Sequence, residues 1–472
     1  MTTYALTIEA PPRDQDVAAL ANGLSEHALP HTGVPGFKPL GVFLRDDTGA
    51  LVGGASGYVN WNWLFINLVW LSTPARGRLT SRGPEPRIPQ EKETAMPAFP
   101  LASAKPSALG LNDRALDRLQ ELITRHIAEG RYPGAQIAMA RRGQLALFAS
   151  FGDARTEPKR AAATDETLWL LYSNTKVITA CGIWLLAEHG ALSFTDTVAA
   201  HLPGFEANGK GEVTILQLLT HQGGFPDAEI PDAAWTDHDL LRRAVCGITL
   251  QWTPGTKLQY HRLAAHWVAA AIIEAKTKTD YRDFIREHIT TPLGLANELF
   301  VGLPDAQHAR AVDMHEPAAD GGRQIQRDEN NTAEFRRAGV PGGGGYATAR
   351  AMAAFYQMLA QGGTLNGVRL LSPRTVQYVT RNFTEERVDL YMGMPMHRGL
   401  GPHVRGTTPG IRGLGSLASP ATFGHGGVGS SYCWADPDSG VSFAYLSNSR
   451  VPDPWHSERL DRISNLVHTA ID

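Results

Sequence analysis

Cysteine is the first thing this chain has little of. Its three cysteines, Cys181, Cys246 and Cys433, lie far apart, with no Cys-x-x-Cys and no His/Cys cluster. That spacing excludes a disulfide framework and a zinc site. It places Cys181, inside an apolar segment, in the core rather than at a reacting centre. An excess of charge of one sign is also lacking: 44 Lys and Arg stand against 47 Asp and Glu, a net charge of -3. Such a balance leaves no electrostatic footprint for nucleic acid or an anionic membrane. Long hydrophobic runs are missing too. The most apolar early stretch, residues 61–71, is about half of what a bilayer needs and reads as a buried strand. The opening residues, Met1 to Pro11, show no basic segment followed by an apolar one, so the expected compartment is the cytoplasm. No spacing of His, Asp and Glu reads as a metal site, and no cofactor is expected. The Gly-x-Ser-x-Gly elbow of α/β-hydrolases is absent as well.

What is present suffices for a large core. With 472 residues, 43% of them apolar, the chain predicts two or three domains that need no disulfide or metal to hold them. Prolines scatter through residues 81–108 with few large apolar residues between them, which reads as an extended linker. The expected organisation is therefore 1–80, a linker at 81–108, and a main unit at 109–472.

Before the linker, Gly41–Arg45 and Ala50–Ala55 flank Asp46-Asp47-Thr48-Gly49, a hairpin signal, and a third strand follows over Trp63–Trp70. This small α/β segment resembles the first half of the GNAT acetyltransferases, with Arg76-Gly77 in the approach to a pyrophosphate loop. The resemblance stops there: residues 76–83 run into prolines and no glycine-rich turn opens a helix that could hold a pyrophosphate. A packing appendage is the expected role.

In the main unit, Asn112 or Asp113 caps a helix whose apolar residues Leu116, Leu119, Leu122, Ile123 and Ile127 share a stripe. Hairpins follow around Arg141-Arg142-Gly143 and around residues 436–440, and a last helix is expected from about Ser457 to Ala470. Strand hairpins at both ends with mostly helical sequence between them predict an α+β fold, an antiparallel sheet built from the two ends plus a helical insert.

Three elements in that unit can carry chemistry. Ser173-Asn174-Thr175-Lys176 opens an apolar helix, and a serine and a lysine three residues apart share one helix face. A lysine desolvated there loses basicity and can take the serine proton. No other lysine in the chain has a serine three residues before it. The bland alternative is a capping serine beside a snorkelling lysine. Second, Tyr260 follows the turn Pro254-Gly255-Thr256, at the mouth of a helix expected over His261 to Lys276. A phenol near an ammonium ionises more readily and can act as base and acid; otherwise such a tyrosine only packs. Third, His425-Gly426-Gly427-Val428 leads into a strand at Ser431. Its backbone can approach a ligand closely, or it is a flexible loop. His221 is a further possible base, with a structural role the expected one, and Met392–Met396 is either an adaptable apolar lining or simply loop.

In this order the elements resemble the serine β-lactamase-like superfamily, which embraces class C β-lactamases, DD-peptidases and family VIII carboxylesterases. The similarity spans about residues 109–472. It includes Pro133-Gly134-Ala135, the segment Leu218–Pro226 with Thr220-His221, Pro292–Leu295, Gly342–Gly345 and Ala435-Asp436-Pro437. The resemblance implies that Ser173 is the acylated nucleophile, Lys176 its proton partner and Tyr260 the general base and acid. It implies that His425-Gly426-Gly427 takes the place of a Lys-Thr-Gly motif, with the amides of Ser173 and Val428 as oxyanion donors. Two departures matter: the lysine that meets an antibiotic's carboxylate is His425, and Tyr-x-Asn becomes Tyr260-His261-Arg262. Both favour a neutral small-molecule ester over a β-lactam, although Arg262 can restore an anion contact. The expectation is a carboxylesterase for short acyl esters. β-Lactamase or D-amino-acid peptidase activity, and a non-catalytic binding protein on the same scaffold, are the rivals.

Overall fold

The computed structural model describes residues 38–45, 51–60 and 63–71 by their backbone, and residues 99–472 except 320–323, 409, 411 and 412. The chain forms two compact units, Met1–Thr94 and Ala95–Asp472. In the first, β1 (Lys38–Arg45), β2 (Leu51–Asn60) and β3 (Trp63–Leu71) pair antiparallel in sequence order. The expected hairpin and third strand are both there. Residues 76–83, on which the acetyltransferase resemblance turned, lie outside the described residues.

The second unit begins earlier than the composition suggested. Its first strand, β4 (Ala102–Ser103), lies inside the expected linker, yet it runs parallel to β6 (Gln144–Arg155) and Leu101 beside it is buried. Proline content had masked a sheet edge. Between these strands come α1 (Asp113–Ala128) and β5 (Gly134–Arg141). Asn112 caps α1 by accepting from the Ala115 amide at 3.1 Å, and Glu129 with left-handed Gly130 ends it.

The large sheet is closed by the other end of the chain. β7 (His403–Val404), β8 (Phe423–Gly427), β9 (Ser431–Asp436) and β10 (Val441–Ser447) follow one another, and β10 pairs antiparallel with β5. The order is thus β7-β8-β9-β10-β5-β6-β4, with the short strand Ala161–Ala162 beside β6. Every residue of β5 and β10 is buried, as befits strands covered on both faces. Side-chain parity explains which layer covers which face. Ala135, Ile137 and Met139 of β5, with Trp434, Phe443 and Tyr445, pack under α1 and the last helix, Trp455–His468. The alternate positions, Ala138, Ala140, Cys433, Ala435 and Ala444, are small and join the core on the opposite side. There the helix Ala349–Ala360 lies against the sheet, and short side chains permit its close approach.

The helical insert holds two segments that are apolar all round. The helix Thr175–Glu188 is buried from Thr175 to Leu186, and Ala264–Thr277 is buried from Ala264 to Ile273. Helices of this pattern belong in the interior, where packing rather than amphipathicity holds them. A lysine at position 176 is therefore an exception that its surroundings must explain. The fold is α+β, with a mixed sheet made from both ends of the unit and a helical insert.

Candidate active site

The chain enters the site along the strand Trp169–Leu170, which pairs with Gly345–Ala347. It then turns sharply: the Leu171 amide donates to the Gly345 carbonyl at 2.8 Å, and Tyr172 adopts φ 43°, a conformation that bulky residues rarely take. Ser173 sits in the resulting 3-10 turn, Tyr172–Asn174, and not in the first turn of the α-helix, which starts at Thr175. The two residues between Ser173 and Lys176 supply the clamps. Asn174 Nδ2 donates to the Leu171 carbonyl at 3.1 Å and to Ser431 Oγ at 2.9 Å. Thr175 Oγ1 donates to the Tyr172 carbonyl at 2.7 Å and accepts from the Gly345 amide at 2.9 Å. Both side chains are fully buried, so the turn is fixed from below and its serine is left on the surface of the cleft.

Lys176 is fully buried, with Nζ 3.1 Å from Ser173 Oγ and donating to the Gly342 carbonyl at 2.6 Å. Burial, seconded by the Arg398 guanidinium, holds its amine well below the usual lysine range. A buried ammonium with no carboxylate partner costs several kcal/mol, so the neutral amine is the form that fits. Its lone pair can accept from the Ser173 hydroxyl while an N–H still serves Gly342.

Tyr260 stands over this pair: Lys176 Nζ lies 5.1 Å from the centre of its ring. Burial raises the phenol above its ordinary value, while a side-chain hydrogen bond with Ser173 and the Arg398 charge oppose the rise. Tyr260 is not at the mouth of a helix, as the sequence suggested; the helix begins four residues later, at Ala264. Hydrogen bonds tie the segment down ahead of the helix. The Tyr260 amide donates to Asp389 Oδ1 at 3.2 Å, and the His261 amide donates to His221 Nδ1 at 3.1 Å. His261 in turn accepts from the Phe225 amide through Nε2 at 3.1 Å and pairs through Nδ1 with the Gln259 carbonyl at 2.7 Å. With both nitrogens committed and the ring buried, His261 is held neutral, at about 4.

His221 is likewise buried, at φ 63°, with its Nδ1 taken by His261 and its ring 4.7 Å from that of Tyr260. Burial holds it well below the usual histidine range. It braces Tyr260 from behind and is not on the cleft wall.

His425-Gly426-Gly427 is strand, not loop: the three residues lie in β8, opposite Cys433, Tyr432 and Ser431. A Cβ at Gly427 would stand 2.6 Å from the Leu171 carbonyl and 2.4 Å from Ser431 Oγ, so only glycine lets this strand back the serine turn. His425 points inward, 2% exposed, its ring 4.2 Å from His403 and 6.2 Å from Tyr260. Burial holds it neutral. The chain leaves the strand at Val428, which is exposed and lines the cleft.

That cleft, of about 520 Å³, brings Ser173, Tyr260, Arg262 and Val428 together. His425, Gly426 and Gly427 lie behind its wall rather than on it. Arg262 and Arg450 share the cleft with Asp227, Glu229 and Asp232, so it has no net cationic bias.

Sequence reasoning missed Arg398 and Asp389, which form an ion pair buried at 2% and 0% side-chain exposure. Arg398 lies 5.0 Å over the Tyr260 ring, and Asp389 holds the Tyr260 amide. They are 129 and more residues away in sequence, and neither belongs to a short motif; an Asp and an Arg amid the apolar run 388–400 was the one available signal. Replacing Asp389 by asparagine leaves a buried guanidinium without its counter-charge. The expected loss is about 3–5 kcal/mol of stability, measured by chemical denaturation.

With that geometry in place, comparison with known proteins is informative. The beta-lactamase family profile matches residues 119–467. The esterase/beta-lactamase LipL of Mycobacterium tuberculosis is 30% identical over 316 residues, 59% of this chain and 68% of that protein. A penicillin-binding protein homologue from Caulobacter crescentus superposes with TM-score 0.65 at 29% identity, over 75% of this chain and 98% of the other. A family VIII carboxylesterase does so with TM-score 0.65 at 26% identity, over 75% and 98%. The family profile lies wholly within the second unit. The acetyltransferase resemblance of the first gains no support from it.

Proposed function

This chain belongs to the beta-lactamase family of serine hydrolases, and from that premise we propose that it is a carboxylesterase acting through a Ser173 acyl-enzyme on short acyl esters. The observation that carries the reading is the fully buried Lys176 amine, 3.1 Å from Ser173 Oγ with no acid beside it to keep it charged.

The directions in which the two proton carriers are shifted divide the work. Lys176, pushed down, takes the Ser173 proton as Oγ bonds to the ester carbonyl carbon. Tyr260, pushed up, is a phenol at neutral pH and gives its proton to the departing alkoxide as the carbonyl–oxygen bond breaks. The Lys176 ammonium then restores the phenol. Deacylation reverses the roles: water loses a proton to the Tyr260–Lys176 pair, attacks the acyl carbon, and Ser173 Oγ leaves as a hydroxyl. The amides of Ser173 and Val428 receive the oxyanion.

Ester rather than lactam chemistry is supported by two features. The His425 position offers a buried neutral imidazole in place of an exposed cation, and the arginines of the cleft are answered by Asp227, Glu229 and Asp232. The cytoplasm is the proposed compartment, to which three unpaired cysteines are suited.

The test is intact-mass analysis after a fluorophosphonate, beside kinetics on a nitrophenyl acetate and a chromogenic cephalosporin. A single adduct on Ser173 and faster ester turnover are expected. Faster cephalosporin turnover would replace the esterase reading by a lactamase, and absence of any adduct would leave a binding protein. Tyr260→Phe should lower ester kcat about 10²–10⁴-fold. Fluorophosphonate labelling, whose leaving group needs no proton, should persist. Equal loss of both would take the acid role from Tyr260.

A further inference from the structure

Soluble proteins seldom leave large apolar side chains clustered in water unless something binds them. Among the described residues nine large hydrophobics are exposed, and six of them are Leu263, Val388, Leu390, Tyr391, Met392 and Val428. Three of these, Leu263, Tyr391 and Val428, line the Ser173 cleft. The others belong with Tyr391 to one short hairpin, Val388–Asp389 paired with Met394–Pro395, whose tip is Leu390-Tyr391-Met392-Gly393.

The hairpin is exposed at its tip and fixed at its root. Asp389 is buried in its ion pair with Arg398, and its Oδ1 accepts from the Tyr260 and Tyr391 amides at 3.2 and 3.0 Å. The Leu390 amide donates to the Leu258 carbonyl at 2.9 Å, two residues before Tyr260. One carboxylate thus sets both the proton donor and the apolar tip, with the Tyr391 ring 5.9 Å from that of Tyr260. The tip needs no closure to take part; it already stands beside the cleft.

We propose that the Leu390–Met392 tip is the binding surface for the alcohol half of the substrate, and that the preferred esters carry a small acyl group on a bulky apolar alcohol. The assignment of the halves follows from chemistry and rests on the esterase reading above. The leaving alkoxide must depart beside the group that protonates it, and Tyr260 is that group. The tip adjoins Tyr260, so what it meets is the alcohol. An acyl chain stays on Ser173, whose turn is walled by Tyr172 and Gly342-Gly343. Exposed leucine, tyrosine and methionine side chains suit an uncharged ring or branched chain, and methionine adapts to its shape.

The experiment uses the full chain and two ester series: acetates of ethyl, cyclohexylmethyl and naphthylmethyl alcohols, and ethyl esters of acids of the same sizes. Wild type should gain at least about tenfold in kcat/KM from the smallest to the largest alcohol, with no such gain along the acid series. In the Leu390→Ser/Met392→Ser double variant, whose side chains are solvent-exposed and outside the core, the naphthylmethyl-to-ethyl acetate ratio should fall about tenfold. A flat alcohol series, a gain along the acid series, or an unchanged ratio in the variant would overturn the assignment. So would turnover that rises only when the ester is presented as dispersed lipid, because the tip would then be meeting a lipid surface. Failure of the parent reading looks different: no ester of either series turns over, and Ser173 takes no fluorophosphonate.

Discussion

Replacing Ser173 by alanine is expected to lower ester turnover at least about a thousandfold and to abolish the fluorophosphonate adduct, with little change in stability. The side chain lost is one hydroxyl at the cleft surface, while the clamps of the turn belong to Asn174, Thr175 and Leu171. The fold around the variant should therefore be intact, and thermal unfolding within a degree or two of wild type would confirm it. What remains is whatever catalysis the oxyanion donors and substrate positioning supply without a nucleophile. An adduct that survives in the alanine variant removes Ser173 from the reaction.

Lys176→Met should cost activity about 10²–10⁴-fold while making stability less dependent on pH. In the folded chain burial holds the amine well below its usual range; unfolded, it titrates near about 10.4. Between those two values the unfolded state binds a proton that the folded state does not, so wild-type stability rises with pH across that window. The slope contributed by one such group is at most about 1.4 kcal/mol per pH unit. Methionine fills a similar volume without titrating, so the wild type should gain on the variant between pH 7 and pH 9 in chemical denaturation. A constant difference would show that Lys176 is charged in the fold, and the base would have to be sought elsewhere. The same titration predicts that ester kcat/KM in the wild type falls on acidification as the amine is protonated.

Much of the site was legible because its chemistry is local. Ser173 and Lys176 are one helical turn apart, and an apolar flank around a lysine already says that its charge is disfavoured. The hairpins, the Asn112 cap and the pairing of the two chain ends followed from short-range signals: turn residues, capping side chains and strand alternation. Local signals misled where a distant partner rewrote them. Tyr260 reads as a helix start, yet Asp389 takes its amide and the helix begins only at Ala264. His425-Gly426-Gly427 reads as a loop because glycine is abundant there, yet its glycines are strand positions, and Gly427 is pressed against the serine turn.

By itself, then, the sequence singled out Ser173 and Lys176 as the candidate reacting pair and determined the α+β class. Only the tertiary structure decided that His425 lies behind the cleft wall, that an Arg398–Asp389 pair packs against Tyr260, and that an apolar hairpin tip stands beside the Tyr260 ring. The physical reason is the range of the interactions involved. Backbone periodicity and helix-face neighbours act over three or four residues and leave a pattern in the chain. The buried Asp389–Arg398 pair meets Tyr260 from more than a hundred positions away, the cleft wall gathers residues over similar separations, and the energies involved depend on burial that exists only once the core has closed.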